Sequence, residues 1–204
     1  MKIWTIAWKD TLIRFRDRFL MFSMFEGTRS ILDEEQEGTL ARLQATPTGH
    51  SEILLGKIGG TFLTGLLQFG IFIVASSLIF QLRWGQSPLG LLLLTLAVVA
   101  AFTSLGTFVA AFARDITQAN ILGSVVVLTF AALGGNFAPA QNFPDWLQTL
   151  SKLTINRWGL DGFSILTLQG GSVGDVLLET AVLLTMALVF FLLGLWRFRH
   201  RIAR

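Results

Sequence analysis

Carboxylate side chains cluster once in this 204-residue sequence, in the run Asp33-Glu34-Glu35-Gln36-Glu37. Such a run could ligate a divalent cation, but it has no EF-hand spacing, no histidine nearby and no second carboxylate cluster to complete a ligand set. On composition alone, a solvated helix end is favoured over a binding element. The run therefore predicts no metal site, and its role depends on the residues that follow it.

The other residues that could do chemistry lack the partners that catalysis needs. No Gly-x-x-x-x-Gly-Lys-Ser/Thr sequence is present, so any ATP, with its Mg²⁺, must bind to another chain. His50 and His200 have no metal-ligand companions, and no Lys lies in the middle of a long apolar stretch to support Ser-Lys hydrolysis. The sequence predicts neither an enzyme nor a cofactor site in this chain.

The composition indicates the environment in which these residues lie. Apolar residues make up 52% of the chain and charged residues only 14%, whereas a soluble domain carries roughly 25% charged residues. Together with the absence of cysteine, this excludes a soluble enzyme, a disordered regulator and a disulfide-stapled secreted domain. The sequence predicts an all-α polytopic membrane protein, because its unbroken apolar runs lack the alternation of barrel strands.

Long stretches without a charged residue locate the membrane spans. A helix needs about 20 apolar residues to cross the hydrocarbon layer. Glu179 falls in the first turn of the last predicted span, where a carboxylate suits the helix dipole. The predicted spans are Ile58–Phe80, Pro88–Phe112, Ala119–Phe137 and Val176–Trp196. They predict one transmembrane domain, residues 1–204, with a cytoplasmic region (1–57) and a membrane bundle that ends in a basic tail (58–204).

The basic residues predict the orientation of this bundle. With the N-terminus in the cytoplasm, only Arg83, Lys152 and Arg157 of the 16 Lys and Arg residues lie outside. This asymmetry follows the positive-inside rule, so we expect a multi-pass protein of the cell membrane with both termini in the cytoplasm. The net charge of +3 then reports topology, and the expected partner is the lipid bilayer rather than a nucleic acid.

Two short amphipathic segments are predicted before the first span. In one, apolar residues share a stripe of a helix that would lie on the cytoplasmic leaflet, with its tryptophans at headgroup depth. The residues of this stripe are Trp4, Trp8, Leu12, Phe15 and Phe19.

The second segment begins with Gly38 and Thr39, which make a helix break and a new N-cap. Leu40 and Leu43 supply its apolar face, and Pro47 ends it. Because this short helix is predicted on the cytoplasmic side, directly before a span, it is placed to press against a soluble partner.

The same residues carry a family resemblance. The segment Glu34-Glu35-Gln36-Glu37-Gly38-Thr39-Leu40-Ala41-Arg42-Leu43-Gln44-Ala45-Thr46-Pro47, followed by Glu52-Ile53-Leu54-Leu55-Gly56-Lys57, resembles the cytoplasmic loop of ABC-2 type transporter permeases. The resemblance implies a coupling helix that docks on a separate ABC ATPase subunit, where ATP and Mg²⁺ would bind. The residues implied in this ATPase coupling are Glu34, Glu35, Glu37, Gly38, Thr39, Leu40, Leu43 and Pro47.

A second match lies downstream. The segments Leu133-Gly134-Gly135-Asn136-Phe137-Ala138-Pro139, Phe143-Pro144-Asp145-Trp146-Leu147-Gln148 and Trp158-Gly159-Leu160-Asp161-Gly162-Phe163 resemble the external segment before the last span of that family. The resemblance implies an external cap of the pathway that includes Gly134, Gly135, Pro139, Pro144, Trp146, Trp158 and Asp161. The residues themselves predict two short helices, Asp145–Leu153 and Trp158–Leu168. They support a re-entrant pair and a surface-lying hairpin equally.

The resemblance implies the membrane-spanning permease subunit of an ATP-driven exporter, acting as a homodimer or heterodimer. It also exposes a departure, because family members usually have six spans and many carry an external domain after the first. Here Arg16-Asp17-Arg18 runs almost directly into Phe19–Phe25, which resembles a remnant of the second span. The first span and the external domain are therefore expected to be missing. The alternative function is a truncated, transport-incompetent or accessory membrane protein derived from such a permease.

Overall fold

Apolar runs without charges form the longest helices, because a helix satisfies its backbone polar groups without water. A computed structural model describes residues 50–202, apart from the side chains of 50–55, 57, 116 and 198–202. Within this range there is no strand, and the all-α prediction is confirmed. The helices are α1 (His50–Phe80), α2 (Pro88–Phe112), α3 (Ile116–Gly134), α4 (Asp145–Ser151), α5 (Ile155–Leu168) and α6 (Leu177–Ile202), with short 3₁₀ turns at Ala140–Asn142 and Gly174–Val176.

Four of these helices are long and apolar enough to cross a membrane, which confirms the predicted number of full spans. The helix predicted to lie on the cytoplasmic leaflet, near the N-terminus, falls outside the described residues and stays a prediction. The four candidate spans cover Ile58–Phe80, Pro88–Phe112, Thr117–Gly134 and Gly174–Arg197.

The third span ends earlier than the sequence predicted, at Gly134 rather than Phe137. Gly135 adopts a left-handed conformation with φ of +97°, and a residue in this conformation ends a helix. The backbone N–H groups of Gly135 and Asn136 both donate to the carbonyl of Ala131. The apolar character of the next residues therefore does not extend the helix.

The second span, α2, is the centre of the bundle. It packs against α1, α3, α5 and α6. Its inner residues Leu94, Ala97 and Ala101 are completely buried, and the two alanines let neighbouring helices approach closely. By contrast, Leu67 and Leu78 of α1 are exposed, as expected for side chains that face lipid.

Helices α2 and α6 run in the same direction. The rings of Phe108 and Phe190 lie 5.7 Å apart, and the backbone of Phe108 lies against Gly194. Further along both helices, the guanidinium of Arg197 lies 5.6 Å from the centroid of the Phe112 ring. Since α2 and α6 are parallel, the connection from α3 to α6 lies at the end of the bundle where α2 begins.

The turn between α2 and α3 is short and closed by side chains. The side chain of Asp115 accepts a hydrogen bond from the backbone N–H of Gln118 at 2.7 Å. In return, the side-chain carbonyl of Gln118 accepts one from the backbone N–H of Arg114 at 2.7 Å. This reciprocal cap satisfies helix-end donors and holds the turn at one end of the bundle.

Candidate functional site

The predicted ATPase-coupling residues precede the part of the chain that the structure describes. All of them, from Glu34 to Pro47, lie before residue 50. Their role stays a prediction. The residues implied in the cap are all described, and they lie in the connection between α3 and α6, which we call the cap segment (residues 134–176).

The cap segment starts with a glycine pair whose two members are required for different reasons. A methyl group added at Gly134 would clash with the Cβ of Asn156 and lie 3.0 Å from the hydroxyl oxygen of Thr154. Gly135 needs its positive φ to end α3. Close by, the side-chain amide of Asn156 donates to that of Asn136 at 3.1 Å. The end of α3 is thereby joined to the start of α5.

Two prolines shape the chain between α3 and α4. The carbonyl of Pro139 accepts from the backbone N–H of Asn142 at 3.0 Å, and the carbonyl of Pro144 accepts from that of Leu147 at 2.8 Å. The side-chain amide of Gln148 then reaches back and donates to the carbonyl of Phe143 at 2.8 Å. Pro144 therefore stands just before α4 as its N-cap residue.

The two short helices of the cap segment have different ends from those predicted. Helix α4 stops at Ser151 rather than Leu153, and α5 begins at Ile155 rather than Trp158. Thr154 explains the early start, because its hydroxyl oxygen accepts from the backbone N–H of Arg157 at 3.4 Å. The same hydroxyl donates to the carbonyl of Ser151 at 2.7 Å, so one buried side chain closes both helices.

The α4–α5 hairpin inserts into the bundle with its tip first. Ser151, Thr154 and Ile155 at the tip are almost completely buried. A methyl group at Gly159 would lie 3.5 Å from Val98 of α2, and Val98 lies about 15 Å along the helix axis from the start of α2. Lys152 and Leu153 at the same tip are exposed, so protein covers only one side of it, and the re-entrant pair and the surface-lying hairpin both stay predictions.

The two tryptophans of the cap segment lie in different surroundings. The indole N–H of Trp158 donates to the carbonyl of Lys152 at 2.8 Å, which ties α5 to the end of α4. Trp146 of α4 is 66% exposed. A ring so exposed at one end of a membrane bundle has the position of an interfacial tryptophan.

Asp161 forms an ion pair within α5. Its carboxylate lies 2.7 Å from the Nε atom of Arg157, one helical turn earlier. Burial raises the pKa of Asp161 above its ordinary value, and the neighbouring guanidinium opposes this rise only in part. The pair belongs to the outer face of the hairpin, since Gly159 and Gly162 face α2.

The sequence-based prediction missed the contact between the α1–α2 loop and α5. The ring of Trp84 lies 5.8 Å from Phe72 of α1 and 5.9 Å from Phe163 of α5, and its indole N–H donates to the hydroxyl of Ser76 at 3.0 Å. Next to it, Gly85 has a φ of +89°, and a methyl group added there would clash with the carbonyl oxygen of Leu166. The tryptophan directly before this glycine was the sequence feature that could have predicted the contact between the loop and α5.

Glu179 was predicted only as a favourable first-turn carboxylate, but it lies on the inner face of α6. It is 8% exposed, and its Oε2 atom is buried without a hydrogen-bond partner. Val176 and Leu183, which share its helical face, are also buried, but no signal in the sequence distinguishes this face of α6 from the others.

Comparison with known proteins decides the family. Residues 18–168, more than half of the chain, match the family described as "ABC-2 type transporter". This protein belongs to the ABC-2 type transporter family. The match covers the predicted coupling segment and most of the cap segment of this ABC-2 protein.

Proteins named as permeases resemble this ABC-2 chain over most of its length. It is 25% identical over 177 residues to the linearmycin resistance permease protein LnrN of Bacillus subtilis, covering 87% of this chain and 46% of that protein. It is 24% identical over 198 residues to the inner membrane transport permease YhhJ of Escherichia coli, covering 96% of this chain and 53% of YhhJ. The ABC-2 chain therefore spans about half the length of these relatives.

Proposed function

We propose that this chain is the membrane-spanning permease subunit of an ATP-driven exporter, in which a separate ABC ATPase subunit binds and hydrolyses ATP. The observation that carries the proposal is the family match over residues 18–168. Relatives named as permeases support the same role. In this assignment the chain supplies membrane helices and substrate contacts, and the partner subunit supplies ATP hydrolysis with its Mg²⁺.

Helix α1 provides a physical route from the ATPase to the cap segment. The coupling residues, from Glu34 to Pro47, come shortly before α1 in the sequence, so closure of the ATPase subunits would push on its cytoplasmic end. Towards its other end, Phe69 stacks on Phe163 of α5 with ring centroids 5.8 Å apart. A tilt of α1 would therefore shift α5 relative to α2 and open the pathway outwards.

Two permease subunits, identical or different, are proposed to form the pathway. The exposed face of α1 forms one continuous apolar stripe, because its members recur every three or four residues. This stripe consists of Leu63, Leu67, Ile71, Val74 and Leu78. A second subunit or lipid can cover such a face, and the positive-inside rule would place the cap segment outside the cell and both termini in the cytoplasm.

Copurification with a candidate ABC ATPase tests the proposal. Replacing Leu40 and Leu43 with Asp would place two charges in the proposed contact, where each buried leucine would contribute roughly 1.5–3 kcal/mol. We expect the double variant to insert into the membrane but to lose the ATPase. The controls are Leu67→Ser and Leu78→Ser, made singly, on an exposed face that the proposal leaves to lipid or a second subunit. Undiminished ATPase binding by the double Asp variant would refute the coupling assignment.

Substrate-stimulated ATP turnover separates the export function from its alternative. A working permease raises the turnover of its ATPase when a transported molecule is added. A transport-incompetent or accessory relative would bind the ATPase without this stimulation. Reconstitution of the chain and the ATPase in proteoliposomes therefore distinguishes the two functions by one measurement.

A further inference from the structure

The inner face of α6 carries an ionisable side chain. Val176, Glu179, Leu183 and Ala187 are all buried, and their spacing of three and four residues places them on one face of the helix. This face packs on α2, the central helix. The carboxylate of Glu179 therefore points into the bundle instead of towards lipid or the aqueous end of the helix.

Three buried polar atoms of α2 and α6 lack hydrogen-bond partners. The Oε2 atom of Glu179 and the hydroxyl oxygen of the adjacent Thr180 are both buried without a hydrogen bond, and so is the hydroxyl oxygen of Thr95 on α2. Exposure is 8% for Glu179, 9% for Thr180 and 6% for Thr95. Buried polar groups without partners are unfavourable, and an ionisable residue within a membrane segment indicates a functional site by default.

Helix α5 covers this carboxylate. A methyl group added at Gly162 would lie 3.4 Å from the Cβ of Glu179 and 2.8 Å from the δ-carbons of Leu94. Glu179 thus lies where α2, α5 and α6 meet, between a polar edge on α6 and apolar walls from α2. The absence of a side chain at Gly162 brings α5 close enough to cover it.

Two basic side chains that the structure describes have other partners, and two more are exposed. Arg157 pairs with Asp161 at 2.7 Å, and Arg197 lies over Phe112 near the opposite end of α2. Lys152 and Arg83 are exposed. None of these four side chains pairs with Glu179, so a cationic partner for its carboxylate can come from a bound molecule.

We propose that Glu179 is the binding group for a primary ammonium carried by an apolar molecule. An ammonium donates three hydrogen bonds, which the carboxylate and the hydroxyl of Thr180 would accept, and a charge-assisted bond of this kind is strong. The apolar remainder of the molecule would contact the exposed leucines beside Glu179, Leu177 and Leu178. The ammonium belongs either to a transported amphiphilic amine or to the headgroup of phosphatidylethanolamine. The first of these two sources rests on the proposed export function.

Binding of a fluorescent amine tests the site without any ATPase. The full chain in phosphatidylcholine nanodiscs is titrated with dansylcadaverine, a primary amine, and with its N-acetyl derivative, which has the same apolar group but no charge. Energy transfer from tryptophan to the dansyl group reports binding. We expect Glu179→Gln to weaken binding of the amine roughly tenfold or more, with no change for the acetylated probe.

Asp175 supplies a matched control. It is an exposed carboxylate one helical turn before Glu179, and it accepts hydrogen bonds from the backbone N–H and the hydroxyl of Ser172 at 2.8 Å each. Asp175→Asn should leave both affinities unchanged, whereas Glu179→Asp should retain part of the amine affinity. The site is overturned if Glu179→Gln binds the amine as tightly as the native chain, or if it loses both probes equally, as a packing defect would cause.

Two further arms identify the source of the ammonium and keep this inference separate from the export function. Competition by phosphatidylethanolamine in the nanodisc supports a lipid ligand, and ATP-dependent movement of dansylcadaverine in the presence of the ATPase supports a transported amine. Binding that depends on Glu179 without stimulated ATP turnover supports the site and contradicts the export function. Stimulated ATP turnover without Glu179-dependent binding supports the export function and contradicts the site.

Discussion

Gly162 of α5 lies so close to Leu94 of α2 that a methyl group added to this glycine would come within 2.8 Å of both δ-carbons of the leucine. Leu94 is completely buried, so it has little space to move away. The crossing of α2 and α5 therefore depends on the missing side chain at residue 162. This crossing holds the α4–α5 hairpin against the bundle.

Gly162→Val is expected to push α5 away from α2. Overpacking of a filled core costs about 1–3 kcal/mol, so the variant should unfold at a lower temperature than the native chain, as measured by circular dichroism in detergent micelles. The control is Gly70→Val on α1, because a side chain added there meets nothing within 4 Å. Equal unfolding temperatures for the two variants would contradict the close contact with Leu94.

Gly85→Ala and Gly170→Ala separate backbone strain from a steric contact. Both glycines have positive φ, +89° and +66°, and a left-handed conformation costs a residue with a side chain about 1–2 kcal/mol. Only at Gly85 does the added methyl group also meet the carbonyl of Leu166. We therefore expect Gly85→Ala to lower the unfolding temperature more than Gly170→Ala, and a similar decrease in both would show that the loop is not held against α5.

Single cysteines test the topology, because the native chain contains none. Gln86 lies in the α1–α2 loop, Gln141 lies in the cap segment, and both are exposed. Cysteines at these positions should react with an impermeant thiol reagent added outside intact cells. A cysteine at the exposed Thr117, after the α2–α3 turn, should react only after permeabilisation. The reverse pattern would invert the proposed orientation.

The stability of the chain should depend on pH through Asp161. Burial raises the pKa of this carboxyl in the folded chain above its ordinary value of 3.8, so folding favours the protonated form. Its contribution is largest below about pH 3.8 and is lost as the pH rises through the folded pKa. Asp161→Asn should therefore flatten the pH dependence of the unfolding temperature on the acidic side.

Asp145→Asn provides the control for this measurement, because Asp145 is an exposed carboxylate on the other helix of the same hairpin. A pH profile altered equally by the two variants would mean that the effect comes from total charge. An unchanged profile in Asp161→Asn would mean that the ion pair with Arg157 offsets the burial completely.

Local residue chemistry determined which segments form helices and about half of the helix ends. Charged groups are unfavourable in hydrocarbon, so charge-free stretches predicted the spans Ile58–Phe80 and Pro88–Phe112 with the bounds that the structure has. The predicted helix bounds were wrong where a specific local conformation or hydrogen bond decides the end of a helix. Gly135 ends α3 through its left-handed φ, and Thr154 starts α5 through its hydroxyl; neither effect follows from apolar character.

Tertiary structure alone decided which side chains face inward. Leu94 is buried and Leu67 is exposed, yet both lie in helices that are apolar on every side. In a soluble protein the polar face would reveal the difference, but lipid is as apolar as the bundle interior, so no such pattern forms in the sequence. For the same reason, the inward position of Glu179 could not be predicted: it depends on the packing of α5 over α6 at Gly162, a contact between residues that are distant in the chain.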